Sequence, residues 1–209
     1  MPTVFFDVDT QMDFLFPAGA LYVPGAEHLV PLIAQLNHHA FARRIPLIST
    51  VDAHAENDPE FSLWPPHCVA GTLGQRKPEC TLLPQRAVGP GIAPQMILEK
   101  QSVDCFTSPH LPGLLAALAV DRCVVYGVVT EICVLNAALG LRTRGYPVEI
   151  VTEAVQELSR ESAVVDNMVS RNVGPLTDFS VAEIYRAIML EMRRIQEVRA
   201  AQVAKGNES

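Results

Sequence analysis

The chain predicts a single-domain, three-layer α/β/α fold with a mostly parallel sheet, on three observations. Short runs rich in Val, Ile and Phe recur without strict alternation, as in strands covered on both faces. Segments with helical spacing of apolar residues separate them, and the resulting βαβα order implies right-handed crossovers. With 209 residues, 49% of them hydrophobic and 19% charged, the chain can bury a sizeable core.

In chain order, Val4–Val8 reads as the first buried strand, and about Ala26–Arg43 as a helix with Leu29, Leu32, Ile33 and Leu36 on one face. Pro46–Val51 is a second strand. From Asp52 to Pro94 the rhythm breaks in a Pro- and Gly-rich stretch holding His54, Trp64 and His67. Long irregular segments within compact domains are usually functional, and this one is expected over the carboxyl edge of the sheet, where α/β folds place their sites. Met96–Glu99 is a candidate strand ending just before Lys100. A helix over Leu111–Ala119, a strand over Arg122–Val128, a helix over Glu131–Arg144 and a strand over Pro147–Val151 follow. Glu161–Arg171 has helical spacing, and Ser180-x-x-Glu183 opens a last helix through Ile184, Ile188 and Met192 to about Arg199. No linker interrupts residues 1–199, and 200–209 form a polar tail.

The net charge of −7 and the lack of a long Lys/Arg cluster exclude a phosphate-binding stripe, so the expected partner is a small molecule rather than nucleic acid. The opening MPTVFFDVDT carries no basic n-region, and no apolar run reaches the roughly 18–20 residues of a membrane span. A soluble, cytoplasmic protein is expected. Five cysteines, at 68, 80, 105, 123 and 133, are an odd set without a C-x-x-C pair and read as free thiols in a reducing compartment.

Cys133 stands where the strand pattern Val124–Val128 gives way to a helical one. There, unpaired backbone N–H groups and the helix dipole favour a thiolate. The bland alternative is one more small buried hydrophobe. Asp7, Asp9 and Asp13 cluster at the end of the first strand. Asp9 can emerge at the sheet edge to take a thiol proton, whereas Asp7 and Asp13 fit turn or helix capping better. Lys100 ends the Met96–Glu99 run and reaches the same edge. Asp52 and His54 alternate onto one side of extended backbone, ready for one cation, and His67 lies thirteen residues on in a turn-rich segment able to fold back. Two imidazoles and a carboxylate suit Zn²⁺, Fe²⁺ or Mn²⁺ and leave positions open. Glu60 is a further ligand or an exposed loop acid. Phe14 and Trp64 either pack the core or flank a flat ring.

Together these segments resemble the isochorismatase-like cysteine hydrolases, and among them most closely the nicotinamidases. Phe6-Asp-Val-Asp9-Thr-Gln-Met-Asp13-Phe14 is similar to the opening motif, Lys100 to the catalytic lysine, and Gly127-Val-Val-Thr-Glu-Ile-Cys133-Val to the nucleophile motif. Asp52-x-His54 and Trp64-Pro-Pro-His67-Cys-Val-x-Gly-Thr-x-Gly resemble metal- and ring-binding segments. The resemblance implies Asp9, Lys100 and Cys133 as catalytic residues, with a cis peptide at Val128–Val129 and an oxyanion hole from the N–H groups of Val129 and Cys133. It also implies one divalent ion, zinc before iron or manganese, on Asp52, His54 and His67, holding the ring nitrogen of nicotinamide. A homo-oligomer is expected on the same ground. Glu131 and Ile132 stand where relatives usually carry Asp and an aromatic or His. An amidase acting on another small carbamoyl or ureido compound is the alternative, and a non-catalytic binding protein is a further one.

Overall fold

Five strands, β1 (Thr3–Val8), β2 (Leu47–Asp52), β3 (Gln95–Lys100), β4 (Arg122–Val128) and β5 (Val148–Gln156), pair in the order β3-β2-β1-β4-β5, each parallel to its neighbours. The computed structural model describes residues 2–84 and 94–157. These lie in a compact unit, Met1–Asp166; a second unit, Asn167–Ser209, falls outside them. The helices expected over 161–171 and 180–199 and the tail over 200–209 also lie outside the described residues.

Two of the expected strands begin one residue later than their sequence pattern. Proline has no N–H for the ladder, and the carbonyls of Pro46 and Pro147 instead accept the N–H groups of Phe5 and Cys123, each at 2.9 Å. β5 runs on to Gln156 past a register shift between Val125 and Gly127. Its polar Thr152 and Glu153 hid that extension, because both are exposed.

The helices are α1 (Met12–Leu15), α2 (Val30–Arg43), α3 (Leu111–Ala117) and α4 (Leu135–Thr143). A 3₁₀ turn at Ala26–Leu29 leads into α2, and Arg44 ends it in the left-handed region at φ 57°. The inward stripe is Leu29, Ile33, Asn37 and Ala40, with Leu32 and Leu36 only half-buried. Asn37 goes inside because Asp7 and Tyr126 wait there as partners. The expected helix over Glu131–Arg144 is in two parts, a π-helical turn at Thr130–Val134 and then α4. Such turns are frequent at functional sites.

Strand order decides where a site can form. From β1 the chain winds outward through β2 to β3, then crosses back to β4 and winds the other way to β5. Right-handed crossovers therefore put α2 on one face of the sheet and α3 and α4 on the other. The connections part between the carboxyl ends of β1 and β4, leaving a crevice. Gly127 lets those two ends close together: at φ 124°, an added Cβ would lie 2.1 Å from the Val8 carbonyl oxygen.

Candidate active site

Asp9 follows β1, Cys133 follows β4, and Lys100 ends β3, so three carboxyl ends of strands bring their side chains to the switch point. All three residues are buried. Lys100 Nζ lies 2.8 Å from Asp9 Oδ2 and also contacts Asp52 Oδ1, which stands beside it across the β2–β3 ladder. Thr50 donates its hydroxyl to Asp9 Oδ1 at 2.7 Å. Asp9 Oδ2 makes its ion pair outside hydrogen-bond angles and retains capacity to accept a proton.

The peptide between Val128 and Val129 is cis. Beyond it the Val129 carbonyl accepts the N–H groups of Ile132 and Val134, both at 3.1 Å, and passes over that of Cys133. That is the N–H the family resemblance assigns to an oxyanion.

Charge in this cluster is set by burial and then by neighbours. Burial raises the Asp9 carboxyl above its ordinary value; Lys100 opposes the rise and Asp52 adds to it. Burial alone would lower Lys100, but Asp52, Asp9 and Cys133 outweigh it and hold the ammonium well above its usual range. Asp52 goes the other way: burial is overcome by Lys100 and His54, and its carboxyl lies low. Burial pushes the Cys133 thiol well up, and although Lys100 opposes this, Asp9 and Asp52 reinforce it. This burial works against the thiolate expected from the helix start. It favours the neutral Cys133 thiol, with Lys100 and Asp9 the charged groups that act on it most.

Beside Lys100, Asp52, His54 and His67 bring one ligand atom each to within 4.8 Å of one another. Asp52 Oδ2 lies 3.9 Å from the Nε2 atoms of both histidines. Ligands bonded to zinc at 2.0–2.2 Å in a tetrahedron stand about 3.4 Å apart, so the set is slightly open. The other ring nitrogens are occupied: His54 Nδ1 is 3.1 Å from Asp58 Oδ2, and His67 Nδ1 is 2.8 Å from the Pro65 carbonyl. Those contacts turn both Nε2 atoms toward Asp52, as outer partners do in metal sites. His54 Nε2 is buried without a hydrogen-bond partner. A divalent cation fits these donors.

His67 arrives here because residues 68–70 pair with His54, whose N–H donates to the Cys68 carbonyl at 3.1 Å and whose carbonyl accepts from Ala70 at 2.9 Å. Glu60 groups with His54 and Asp58, not with Asp52 and His67. Burial, then Asp52, pushes it up to about 7. The Phe14 ring lies 5.5 Å from His67, while Trp64 is buried three residues before it.

Phe61 and Lys77 escaped the sequence reading, Gln11 was read only as part of a motif, and Asp13 takes the capping role expected of it. Phe61 packs 5.3 Å from His54 and 5.7 Å from His67, and only its place directly after Glu60 hinted at this. Gln11 clamps the backbone of Asp52, accepting its N–H at 2.7 Å and donating to its carbonyl at 2.8 Å. Asp13 serves as a cap, taking the N–H of Cys68 at 2.7 Å and of Ala20 at 2.9 Å. Gly74 leaves room for that carboxylate, which an added Cβ would meet at 2.2 Å.

Known proteins share this frame. A nicotinamidase of Acinetobacter baylyi is 25% identical over 189 residues, spanning 75% of this chain and 82% of that protein. The structure of a pyrazinamidase of Pyrococcus horikoshii in complex with zinc superposes with a TM-score of 0.72 at 27% identity, covering 82% of this chain and 97% of that one. An N-carbamoylsarcosine amidase of Thermoplasma acidophilum superposes with a TM-score of 0.69 at 25% identity, covering 82% and 93%. No helix among the described residues is long and apolar enough to cross a membrane. The profile of the isochorismatase domain matches residues 3–178, and the chain belongs to that family of hydrolases.

Proposed function

We propose that the protein is a metal-containing cysteine amidohydrolase that converts nicotinamide to nicotinate and ammonia through a thioester on Cys133. The observation that carries this reading is the buried chain of contacts from Cys133 through Asp9 and Lys100 to Asp52, whose other oxygen faces the two imidazoles.

Asp9 takes the Cys133 proton, the two groups lying in one buried cluster with Lys100. Its raised pKa makes it a better acceptor than an ordinary carboxylate. Lys100 remains an ammonium throughout and offsets the negative charge as it moves from oxygen to sulfur. The thiolate attacks the carboxamide carbon. The carbonyl electrons move onto oxygen, which the N–H groups of Val129 and Cys133 stabilise. Collapse breaks the C–N bond, and Asp9 returns its proton to the departing ammonia. Asp9 then takes a proton from water as it attacks the thioester, releasing the acid and restoring Cys133. A divalent cation held by Asp52, His54 and His67, zinc before iron or manganese, would supply a Lewis-acid contact for a ring nitrogen. Phe14 and Trp64 would flank that ring, and Glu60 would add to the metal's ligands.

A second reading, hydrolysis of another small carbamoyl or ureido compound, is favoured by the likeness to the N-carbamoylsarcosine amidase. Ammonia release from nicotinamide by metal-loaded protein, with Cys133→Ala as the blank, tests the first reading. Release that disappears in the variant supports it. No release, alongside turnover of a ureido compound, would replace it with the second. The expected homo-oligomer is part of this proposal and is measured by light scattering.

A further inference from the structure

A second buried ion pair, Asp7 with Lys77, lies below the catalytic cluster, and no step of the thiol chemistry uses it. Asp7 is fully buried in β1, and the Lys77 side chain is only 3% exposed. Lys77 Nζ is 2.9 Å from Asp7 Oδ2 and also donates to the Thr10 hydroxyl, which itself donates to Asp7 Oδ1 at 2.6 Å. These contacts close a triangle. Asn37 and Ser49 complete the set on Asp7 Oδ2, at 2.9 and 3.2 Å. Replacing a buried ion pair by apolar groups is often neutral or stabilising, so stability alone does not account for this one.

What the pair does is fix a turn. Thr10 stands between Asp9 and Gln11, and Asp9 has φ 51°, a region a non-glycine residue holds only where its surroundings require it. The segment reaching Lys77 is stitched to the same turn. The carbonyls of Gly74 and Arg76 accept the N–H groups of Asp13 and Met12 at 3.0 and 2.8 Å, and that of Gln75 accepts the Gln11 side chain at 2.7 Å. That segment begins at His67.

We infer that Asp7, Thr10 and Lys77 form a positioning cluster that holds Asp9 in register with Cys133 and ties its turn to the loop bearing His67. The inference rests on the reading of Asp9 as the acceptor of the Cys133 proton. Its test therefore reads Cys133 directly, as the rate of alkylation by iodoacetamide, resolved by peptide mapping at pH 7 and above. Asp9→Asn is the control. Thr10→Val removes the hydroxyl and leaves the Asp7–Lys77 contact; it should shift the alkylation rate about tenfold or more in the same direction as Asp9→Asn, since small misplacements of reacting groups are costly. Thr10→Ser should retain a rate within about twofold of the parent, because only the hydroxyl makes the contacts. A purely structural role would lower melting temperature without changing the rate per folded molecule. Parent-like alkylation in Thr10→Val, with the Asp9→Asn rate changed, overturns the cluster's role. Parent-like alkylation in Asp9→Asn overturns the role of Asp9 itself. Should Thr10→Val not fold, Asp7→Leu/Lys77→Met carries the same expectation and the same refutation.

Discussion

Replacing Lys100 by Met leaves two buried carboxylates facing each other without a cation. At 2.8 Å the Lys100–Asp9 attraction amounts to about 6 kcal/mol at an effective dielectric near 20, before desolvation is deducted. Net losses on removing one partner of a buried pair run at about 3–5 kcal/mol. For a domain this size that is a fall in Tm of roughly 6–20 °C. The loss should depend on pH with a definite sign. Lys100, held above its ordinary value, stabilises the fold fully below its unfolded pKa and loses that contribution only as pH rises through its folded value. Asp9 is raised already and will rise further without Lys100, so its ionisation opposes folding above its folded pKa and ceases to matter below its unfolded one. Asp52, now held low, loses the stability that its depressed pKa supplies above its unfolded value. The Lys100 contribution is constant over this range, and the two carboxylate contributions make Lys100→Met worst near pH 8 and mildest near pH 4–5. Thermal melts of chelator-treated parent and variant across that range measure it. A deficit below about 1 kcal/mol that ignores pH would mark Lys100 as a solvated strand-end charge and refute the reasoning.

Asp58→Ala removes the acceptor that orients His54, and metal affinity should fall about 10–100-fold in a competition titration against a chelator. Metal binding should also weaken as pH falls, because His54, raised to about 9 by Asp52 and Asp58 against its burial, must lose a proton to bind. The slope of log affinity against pH should be about one between pH 7 and 9; protonation of His67 steepens it at lower pH, and participation of Glu60 would begin that steepening near pH 7. Tyr126→Phe leaves Asn37 Oδ1 unpaired in the core, since the phenol donates to it at 2.7 Å; a loss of about 1–3 kcal/mol by denaturant melt is expected.

Strands β1, β2 and β4 were legible in the sequence because their burial demands apolar, β-branched and aromatic side chains, and the order β3-β2-β1-β4-β5 then brings Asp9, Lys100 and Cys133 together. Asp52 and His54 were legible from extended-chain alternation, and His67 from a turn-rich segment that could return. The upward pull of burial on the Cys133 thiol was not, because position at a helix start speaks only of the dipole. Asp7 and Lys77, seventy residues apart, carried no local signal of pairing. Gln11 was read only as part of the opening motif after Asp9, and its clamp on Asp52 exists only once β2 lies alongside. Contacts made across sequence distance by single polar side chains leave no periodic trace.

The central claim is a thioester between Cys133 and the acyl part of a small amide. Intact-mass analysis of metal-loaded protein quenched in acid within milliseconds of mixing with nicotinamide tests it most directly. A transient gain equal to the acyl group less one hydrogen, mapped to the Cys133 peptide and absent in Cys133→Ala, is the predicted result. Ammonia release at the full rate from Cys133→Ala, with no adduct on the parent, would contradict the account.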